Sequence, residues 1–440
     1  MSVRDAVDPW EALRGLPMGQ RIELSDGRGG VFVGSVVPRH ELSGERILIL
    51  KLESGYNVGV RVGAEASYRL LEPTPTPERR AEPRSPAEGG PHAAGRWITL
   101  LATGGTIASR IDYETGGVRP VREEREILAF YPDLGKSGRV RIVPVFDRLS
   151  EDFVPADWAT LAEKVVDAFR DGAEGIVIPH GTDTLGFTAA ALSFLVRDLP
   201  GPVVLVGAQR SPDRPSSDGS SNLAAAAAVA RDRRIGEVVV VMHAGLSDTR
   251  FAIHRGTWVR KMHSSRRDAF ESRNGPVLGE VENGEVHLSG PVRSAAAGPA
   301  RAELPLDDRA GLLWFYPGLD PHRAEEFVRP LRGVILAGTG LGHVALRHLG
   351  WIRAATARGI LVGMTTQCLA GDSDPYVYAT GRDLLRAGVL YLGDLLPETA
   401  YAKLVWALGR SNDPAEVTRL MREDQVGESP GRHPARGEPA

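Results

Sequence analysis

Cysteine and lysine are the residues this chain almost does without. Among 440 residues there is one cysteine, Cys368, so no internal disulfide forms and a disulfide-stapled fold is excluded. Its surroundings, Met364-Thr-Thr-Gln-Cys-Leu369, read as the buried end of a strand. Long apolar runs are missing too: none approaches the ~20 residues a membrane-spanning helix needs. The opening Met1-Ser-Val-Arg-Asp5 lacks the apolar core of an export signal. With the single cysteine, this points to a reducing cytoplasm. A large charge excess is also absent, 53 basic against 56 acidic residues giving a formal net charge of −3. That argues against an extended polyanion-binding surface, while leaving room for a local basic patch. Lysine occurs only at 51, 136, 164, 261 and 403, and arginine supplies the remaining positive charge. A lysine kept in such a background marks a place where a titratable amine is wanted, and Lys261 is the one to follow.

The length is enough for two or three domains and a sizeable core. After a short helical stretch near Trp10, five β-rich runs follow: Arg21–Leu24, Val31–Val37, Arg46–Leu52, Val58–Val62 and Tyr68–Leu71. Turn signals such as Asp26-Gly-Arg-Gly-Gly30 separate them, which predicts a small closed barrel. No catalytic constellation falls within it. Six prolines between Glu72 and Gly95 then predict an extended linker.

From Trp97 onward strands and helices alternate, the pattern of an α/β fold. Strands are predicted at Trp97–Ala102, Arg141–Phe146, Gly175–Pro179, Val203–Gly207 and Val238–Met242. Helices are predicted at Asp157–Phe169, with Asp157 as N-cap, and at Leu185–Leu195 and Asn222–Arg231. Glu282-Asn-Gly-Glu285 reads as a hairpin turn within 273–292. A second strand–helix series starts near Gly311 and ends in helices at 396–408 and 414–422. The residues after Asp424 read as a disordered tail. Gly338-Thr-Gly-Leu-Gly-His343 imitates a dinucleotide fingerprint, but its glycine spacing is wrong and it reads as a turn. His243, His254 and His263 lack metal-ligand spacing.

Two stretches carry the chemistry. Leu101-Ala-Thr-Gly-Gly-Thr-Ile-Ala-Ser109 follows an apolar strand, turns on two glycines and presents Thr106 at the strand's carboxyl end, where open α/β sheets bind ligands. Gly175-Ile-Val-Ile-Pro-His-Gly-Thr-Asp-Thr184 repeats the design and sets a carboxylate beside the hydroxyl. Together they resemble the L-asparaginase/glutaminase family, whose hallmarks TGGTIA and HGTDT are both intact and in order. The resemblance runs from about Trp97 to about Asp424. It implies amide hydrolysis with Thr106 as nucleophile and Tyr113, in a polar lid hinged at Gly116-Gly117, as its activator. Thr182, Asp183 and Lys261 match the family's second constellation, which moves the nucleophile's proton. Asp183, Ser150 and Glu151 match the positions that grip the substrate.

Gly34-Ser-Val-Val37, Ile49-Leu-Lys-Leu52 and Gly55-Tyr-Asn-Val-Gly59 resemble the N-terminal module of the GatD family, the amide-hydrolysing subunits of archaeal-type glutamyl-tRNA(Gln) amidotransferases. The fold class expected is α/β: an asparaginase-like body of a larger and a smaller domain, preceded by a small all-β barrel domain. The expected boundaries are 1–72 for the barrel, 73–95 for the linker, 96–308 and 309–424 for the two body domains, and 425–440 for the tail. In that family the chain releases ammonia from L-glutamine for a GatE-like partner, which amidates Glu-tRNA(Gln). The resemblance implies no cofactor on this chain, ATP and magnesium belonging to the partner, and a homodimer within a heterotetramer. The competing readings are a free-standing cytoplasmic asparaginase/glutaminase using L-asparagine or L-glutamine, and a non-enzymatic scaffold on the same fold.

The nucleophile assignment makes one direct prediction. Thr106→Val is nearly isosteric and removes only a hydroxyl, so the variant should fold normally and lose almost all amide hydrolysis. Near-normal turnover by the folded variant overturns the assignment.

Overall fold

The computed structural model describes residues 8–37, 45–52, 57–72, 96–104, 109–111, 118–120, 139–210 and 217–429. Thr106, Tyr113, Gly116, Gly117 and the 73–95 segment lie outside the described residues.

The N-terminal module opens with the helix Pro9–Leu13, where the Asp8 carboxylate accepts from the Trp10 N–H at 3.1 Å and proline occupies the first turn. Five strands follow: β1 (Arg21–Ser25), β2 (Val31–Val36), β3 (Ile47–Leu52), β4 (Asn57–Arg61) and β5 (Ser67–Leu70). They pair antiparallel in the order β4-β3-β2-β1-β5. The Asp26 carboxylate shapes the β1–β2 turn, accepting from the N–H groups of Arg28 (2.7 Å) and Gly30 (2.9 Å). Period-two alternation sends Ile22, Leu24, Leu48, Leu50 and Val60 inward onto Trp10 and Leu13. The five expected strands are present within a residue or so of their predicted limits. Among the described residues β4 and β5 do not pair with each other, so the ladder is not closed by hydrogen bonds there.

The larger body unit contains β6 (Ile98–Gly104), β7 (Ser109–Ile111), β8 (Val118–Pro120), β9 (Val140–Arg148), β10 (Gly175–Pro179), β11 (Val196–Arg197), β12 (Val203–Val206), β13 (Val238–His243), β14 (Arg250–Arg255), β15 (Val259–Lys261), β16 (Phe270–Ser272), β17 (Gly279–Glu282) and β18 (Glu285–Leu288). Eight of these form one sheet in the order β18-β17-β14-β13-β12-β10-β6-β9. The five strands from β13 to β9 run parallel. β10, β12 and β13 are buried throughout, as their uninterrupted apolar sequences require. Helices Pro155–Arg170 and Leu185–Leu195 contribute to one core, and Gly219–Ala230 to a second.

The chain lays down β6, then β9 beside it, then β10 on the opposite side of β6. The strand order therefore reverses between β6 and β10, and ligands of open α/β sheets bind at the carboxyl ends of strands flanking such a reversal.

In the smaller unit, β20 (Ala310–Trp314), β21 (Gly333–Gly338), β22 (Leu361–Thr366) and β23 (Leu390–Tyr391) form a parallel sheet in chain order. Before it, β19 (Arg301–Ala302) pairs with β11. Helix Pro397–Arg410 belongs to the same core as helix Leu185–Leu195, with Trp406 stacked on Phe194 at 5.8 Å. The two units therefore share a core.

Several expectations need correction. Asp157 is not the N-cap: the helix begins at Pro155, and Asp157 accepts the Val154 N–H at 2.9 Å from within the first turn. It also holds Arg148 with two contacts of 2.8 Å. β14 to β16 go beyond the expected strands, since their short mixed sequences carry no clear period. Cys368 lies two residues beyond β22 and is exposed rather than buried. Gly338–His343 is the expected turn, closed by paired backbone bonds between Thr339 and His343 of 2.9 Å each.

The largest correction concerns the tail. Gln425–Ser429 is packed, with Val426 and Glu428 buried; residues 430–440 lie outside the described residues. The Glu428 carboxylate caps the N–H groups of Gln425 and Val426 and meets Lys403 Nζ at 2.5 Å. Lys403 also donates to the carbonyls of Met421 (3.0 Å) and Glu423 (2.7 Å). Composition alone marks this stretch as polar tail; a buried lysine on a distant helix turns it into a strap.

Burial, with the hydrogen bond to Asp424, holds the Glu428 carboxyl above its usual range although the Lys403 amine pulls it down, so taking the amine away leaves a buried acid without its partner. Lys403→Met should destabilise the fold by about 3–5 kcal/mol, the range for breaking a buried pair. Adding Glu428→Gln should recover part of that loss. Denaturant titration of the single and double variants reads both values; strictly additive effects would show that the two side chains do not interact.

Candidate active site

Three strand ends converge at the β6–β10 reversal. β6 ends in Thr103-Gly104, β9 leads to Ser150 and Glu151, and β10 leads to His180-Gly-Thr-Asp-Thr184. Three glycines let these segments approach. Gly104 has φ +92°, and a Cβ there would stand 2.6 Å from the Arg148 carbonyl oxygen. A Cβ on Gly181 would stand 2.7 Å from Ser150 Cβ, and one on Gly207 would stand 2.6 Å from Thr182 Cγ2. Any side chain at these positions pushes the segments apart. Two hydroxyls complete the junction: Thr103 Oγ1 donates to the Pro179 carbonyl and Thr184 Oγ1 to the Ser150 carbonyl, each at 2.6 Å.

Lys261 enters from β15, which is antiparallel to β16. Its amine stands 2.8 Å from Thr182 Oγ1 and 2.8 Å from Asp183 Oδ1. Thr182 is buried and the Lys261 side chain is 14 % exposed, whereas the Asp183 side chain is 68 % exposed. The hydroxyl thus faces inward and the carboxylate opens to solvent. Ser150 is buried behind Gly181, with its hydroxyl 3.4 Å from the exposed Glu151 carboxylate. Thr182, Asp183, Lys261, Ser150 and Glu151 are therefore gathered in adjoining segments. An amine in contact with both a hydroxyl and a carboxylate is placed for proton transfer.

His180 has no role in the sequence reading and proves to be a positioning residue. It is fully buried; its Nδ1 stands 2.7 Å from the Gly181 carbonyl and its Nε2 3.1 Å from Thr188 Oγ1. Thr188 accepts from Trp158 Nε1 at 3.1 Å. The consistent arrangement runs from indole N–H to threonine hydroxyl to His180 Nε2, with the ring proton on Nδ1 held by the Gly181 carbonyl. Burial pulls the pKa of His180 down to about 4, keeping the ring neutral. Its signal in the sequence is a histidine directly after an apolar strand and before a glycine.

A second polar layer lies at the ends of β12 and β13. Buried Asp218 accepts from the N–H groups of Gln209 and Arg210, and Asn222 Nδ2 donates to Asp218 and to the Gly207 carbonyl. This ties down the Gly207 backbone against which Thr182 packs.

Comparison with known proteins adds the outer frame. Residues 97–293 match the family described as "Asparaginase, N-terminal", 309–421 match "Glutaminase/Asparaginase C-terminal domain", and 16–70 match "GatD N-terminal domain". The D subunit of the glutamyl-tRNA(Gln) amidotransferase of Saccharolobus solfataricus is 44% identical over 94% of this chain and 93% of that protein. Its counterpart in Pyrococcus horikoshii is 43% identical over 92% of this chain and 93% of its own. The chain belongs to the GatD family of glutamyl-tRNA(Gln) amidotransferase subunits. Its body has the asparaginase fold. The thermostable L-asparaginase from Thermococcus kodakarensis aligns with a TM-score of 0.69 and 34% identity, covering 76% of this chain and 100% of that one. L-asparaginase I from Vibrio cholerae gives 0.65 and 32%, covering 76% and 99%.

For this GatD family member, Lys261→Met should lower turnover by several orders of magnitude. Lys261→Arg should not rescue it, because a guanidinium keeps its proton near neutral pH. Steady-state kinetics decide; turnover by the arginine variant close to wild type makes Lys261 an electrostatic group only. His180 gives a prediction about stability instead. A histidine whose folded pKa is depressed contributes stability that is complete above its unfolded pKa of about 6.5. That contribution is lost as pH falls toward about 4. His180→Gln should therefore flatten the decline in stability between those values, measured by denaturant titration against wild type.

Proposed function

We propose that this chain is the amidohydrolase subunit of a tRNA-dependent amidotransferase, releasing ammonia from L-glutamine for a partner that converts Glu-tRNA(Gln) to Gln-tRNA(Gln). The observation that carries this reading is the presence, in one chain, of a GatD-type N-terminal domain and an asparaginase-type body. The reading as a free-standing asparaginase leaves that domain without a use: the Thermococcus enzyme is covered completely yet accounts for 76% of this chain.

In the proposed mechanism Thr106 Oγ attacks the carboxamide carbon, with Tyr113 taking its proton. The tetrahedral intermediate expels ammonia after a proton reaches the leaving nitrogen, and water then releases glutamate from the acyl-threonine. The contact set of Thr182, Asp183 and Lys261 supports a proton route. Asp183, Ser150 and Glu151 grip the substrate, the carboxylates taking its α-ammonium. The partner is a GatE-like subunit that holds the ATP and magnesium, and this chain needs no cofactor of its own. The assembly is a heterotetramer built on a homodimer of this chain, with its tRNA reached through the complex. The single cysteine fits a cytoplasmic setting, and no helix among the described residues is long and apolar enough to cross a membrane.

Glutamine hydrolysis should be measured with and without the GatE-like subunit and Glu-tRNA(Gln), in parallel with L-asparagine. Stimulation of glutamine hydrolysis by the complex is expected; efficient asparagine hydrolysis by the isolated chain, unaffected by tRNA, overturns the reading. Deleting residues 1–95 should leave basal hydrolysis and weaken transamidation or partner binding. Unchanged transamidation and affinity would make the N-terminal module a passive appendage.

A further inference from the structure

Lys261 ends a short strand in which Val259 is buried in the core and Arg260 meets Glu398 at 3.2 Å. β15 has three residues and, among the described residues, pairs only with the equally short β16, outside the eight-stranded sheet. The position of its amine also depends on what anchors the strand ends. On the far side, Met262 N–H donates to the Ala269 carbonyl at 2.6 Å. On the near side stands Trp258, directly before β15 and buried.

Trp258 is gripped closely. The Arg255 guanidinium lies over its ring at 4.2 Å, and Gly275 lets a backbone segment approach, since a Cβ there would stand 2.4 Å from the ring. The Trp258 indole N–H donates to the Glu428 carbonyl at 3.1 Å, across 170 residues of sequence. Arg255 donates in turn to the Gly427 carbonyl at 3.2 Å and pairs with buried Glu237 at 2.6 Å. Helix Pro397–Arg410 reaches the same turn, Thr399 Oγ1 donating to the Thr257 carbonyl at 2.7 Å, and carries the Lys403 that pairs with Glu428. Arg197 and Asp394 hold the strap at either end, through the Gln425 carbonyl (2.8 Å) and the Ser429 hydroxyl (3.0 Å).

We propose that the C-terminal strap, Asp424–Ser429, is a positioning element of the active site: by holding Trp258 it fixes β15 and with it the amine of Lys261. The strap acts on that turn through the indole N–H, through the Arg255–Trp258 stack and through helix Pro397–Arg410, which it meets at Lys403. Trp258 is a positioning residue, and the end of the chain is coupled to turnover through it. This inference rests on the catalytic reading of Lys261.

The test uses the full chain with its partner subunit and L-glutamine hydrolysis as the readout. Trp258→Phe keeps an aromatic ring and removes the N–H; a second variant ends after Asp424; Lys261→Met is the reference. A displacement of the order of 1 Å in a catalytic group costs up to about 10²-fold. Trp258→Phe should lower kcat by about tenfold with KM little changed and alter the pH profile of kcat, and the truncation should do so more strongly. Thermal denaturation of each variant gives the folded fraction at the assay temperature. Wild-type kcat and pH profile in the strap variants, with Lys261→Met inactive, overturn the proposal and leave the catalytic reading standing. A loss of kcat accounted for by unfolded protein, with an unchanged pH profile, reduces the strap to a structural role and overturns it as well. Normal turnover by Lys261→Met removes the catalytic reading and the proposal with it. Where the truncated chain does not fold, Trp258→Phe alone decides.

Discussion

The amine of Lys261 joins parts of the chain 78 and 79 residues apart, standing 2.8 Å from both Asp183 and Thr182. A buried threonine and an exposed carboxylate present different environments to one amine. The contact holds only if β10 and β15 are each fixed against the same body.

The two sides are fixed by different means. On the β10 side the restraint is steric: Gly104, Gly181 and Gly207 each remove a Cβ that would collide with Arg148, Ser150 or Thr182. Buried polar groups then lock the resulting backbone, His180 through the Gly181 carbonyl and Asn222 through the Gly207 carbonyl. Such groups hold position because leaving any one of them unpaired costs about 1–3 kcal/mol. On the β15 side the restraint is long-range, running from Trp258 to helix Pro397–Arg410 and the strap.

The shared core brings the smaller unit up to the edge of the larger one where these side chains gather. Helix Pro397–Arg410 packs against Leu185–Leu195, the helix that directly follows the HGTDT segment. It also carries Thr399 and Lys403, which touch the turn before β15 and the strap. One helix therefore contacts the supports of both halves of the site. The N-terminal module is a different kind of object, with its own core around Trp10, Leu24 and Leu50.

Much of this is legible in the residues. Runs such as Gly175–Pro179 and Val203–Val206 are apolar throughout because parallel strands are covered on both faces, and their limits are sharp because glycine and proline bound them. The glycine-hydroxyl segments identify themselves because a strand end that approaches a ligand needs both features together. Lys261 stands out because lysine is so rare in this chain. What the sequence could not carry are relations between distant segments. Nothing local distinguishes Glu428 from a tail residue; the buried Lys403, on the helix Pro397–Arg410, and Trp258 make it part of the body. Nothing local makes His180 neutral or Asp157 a partner of Arg148. Local pattern determines where strands, turns and reactive side chains occur, because it depends on period and backbone freedom. Burial and pairing are decided by which surfaces meet, and only the tertiary structure decides that.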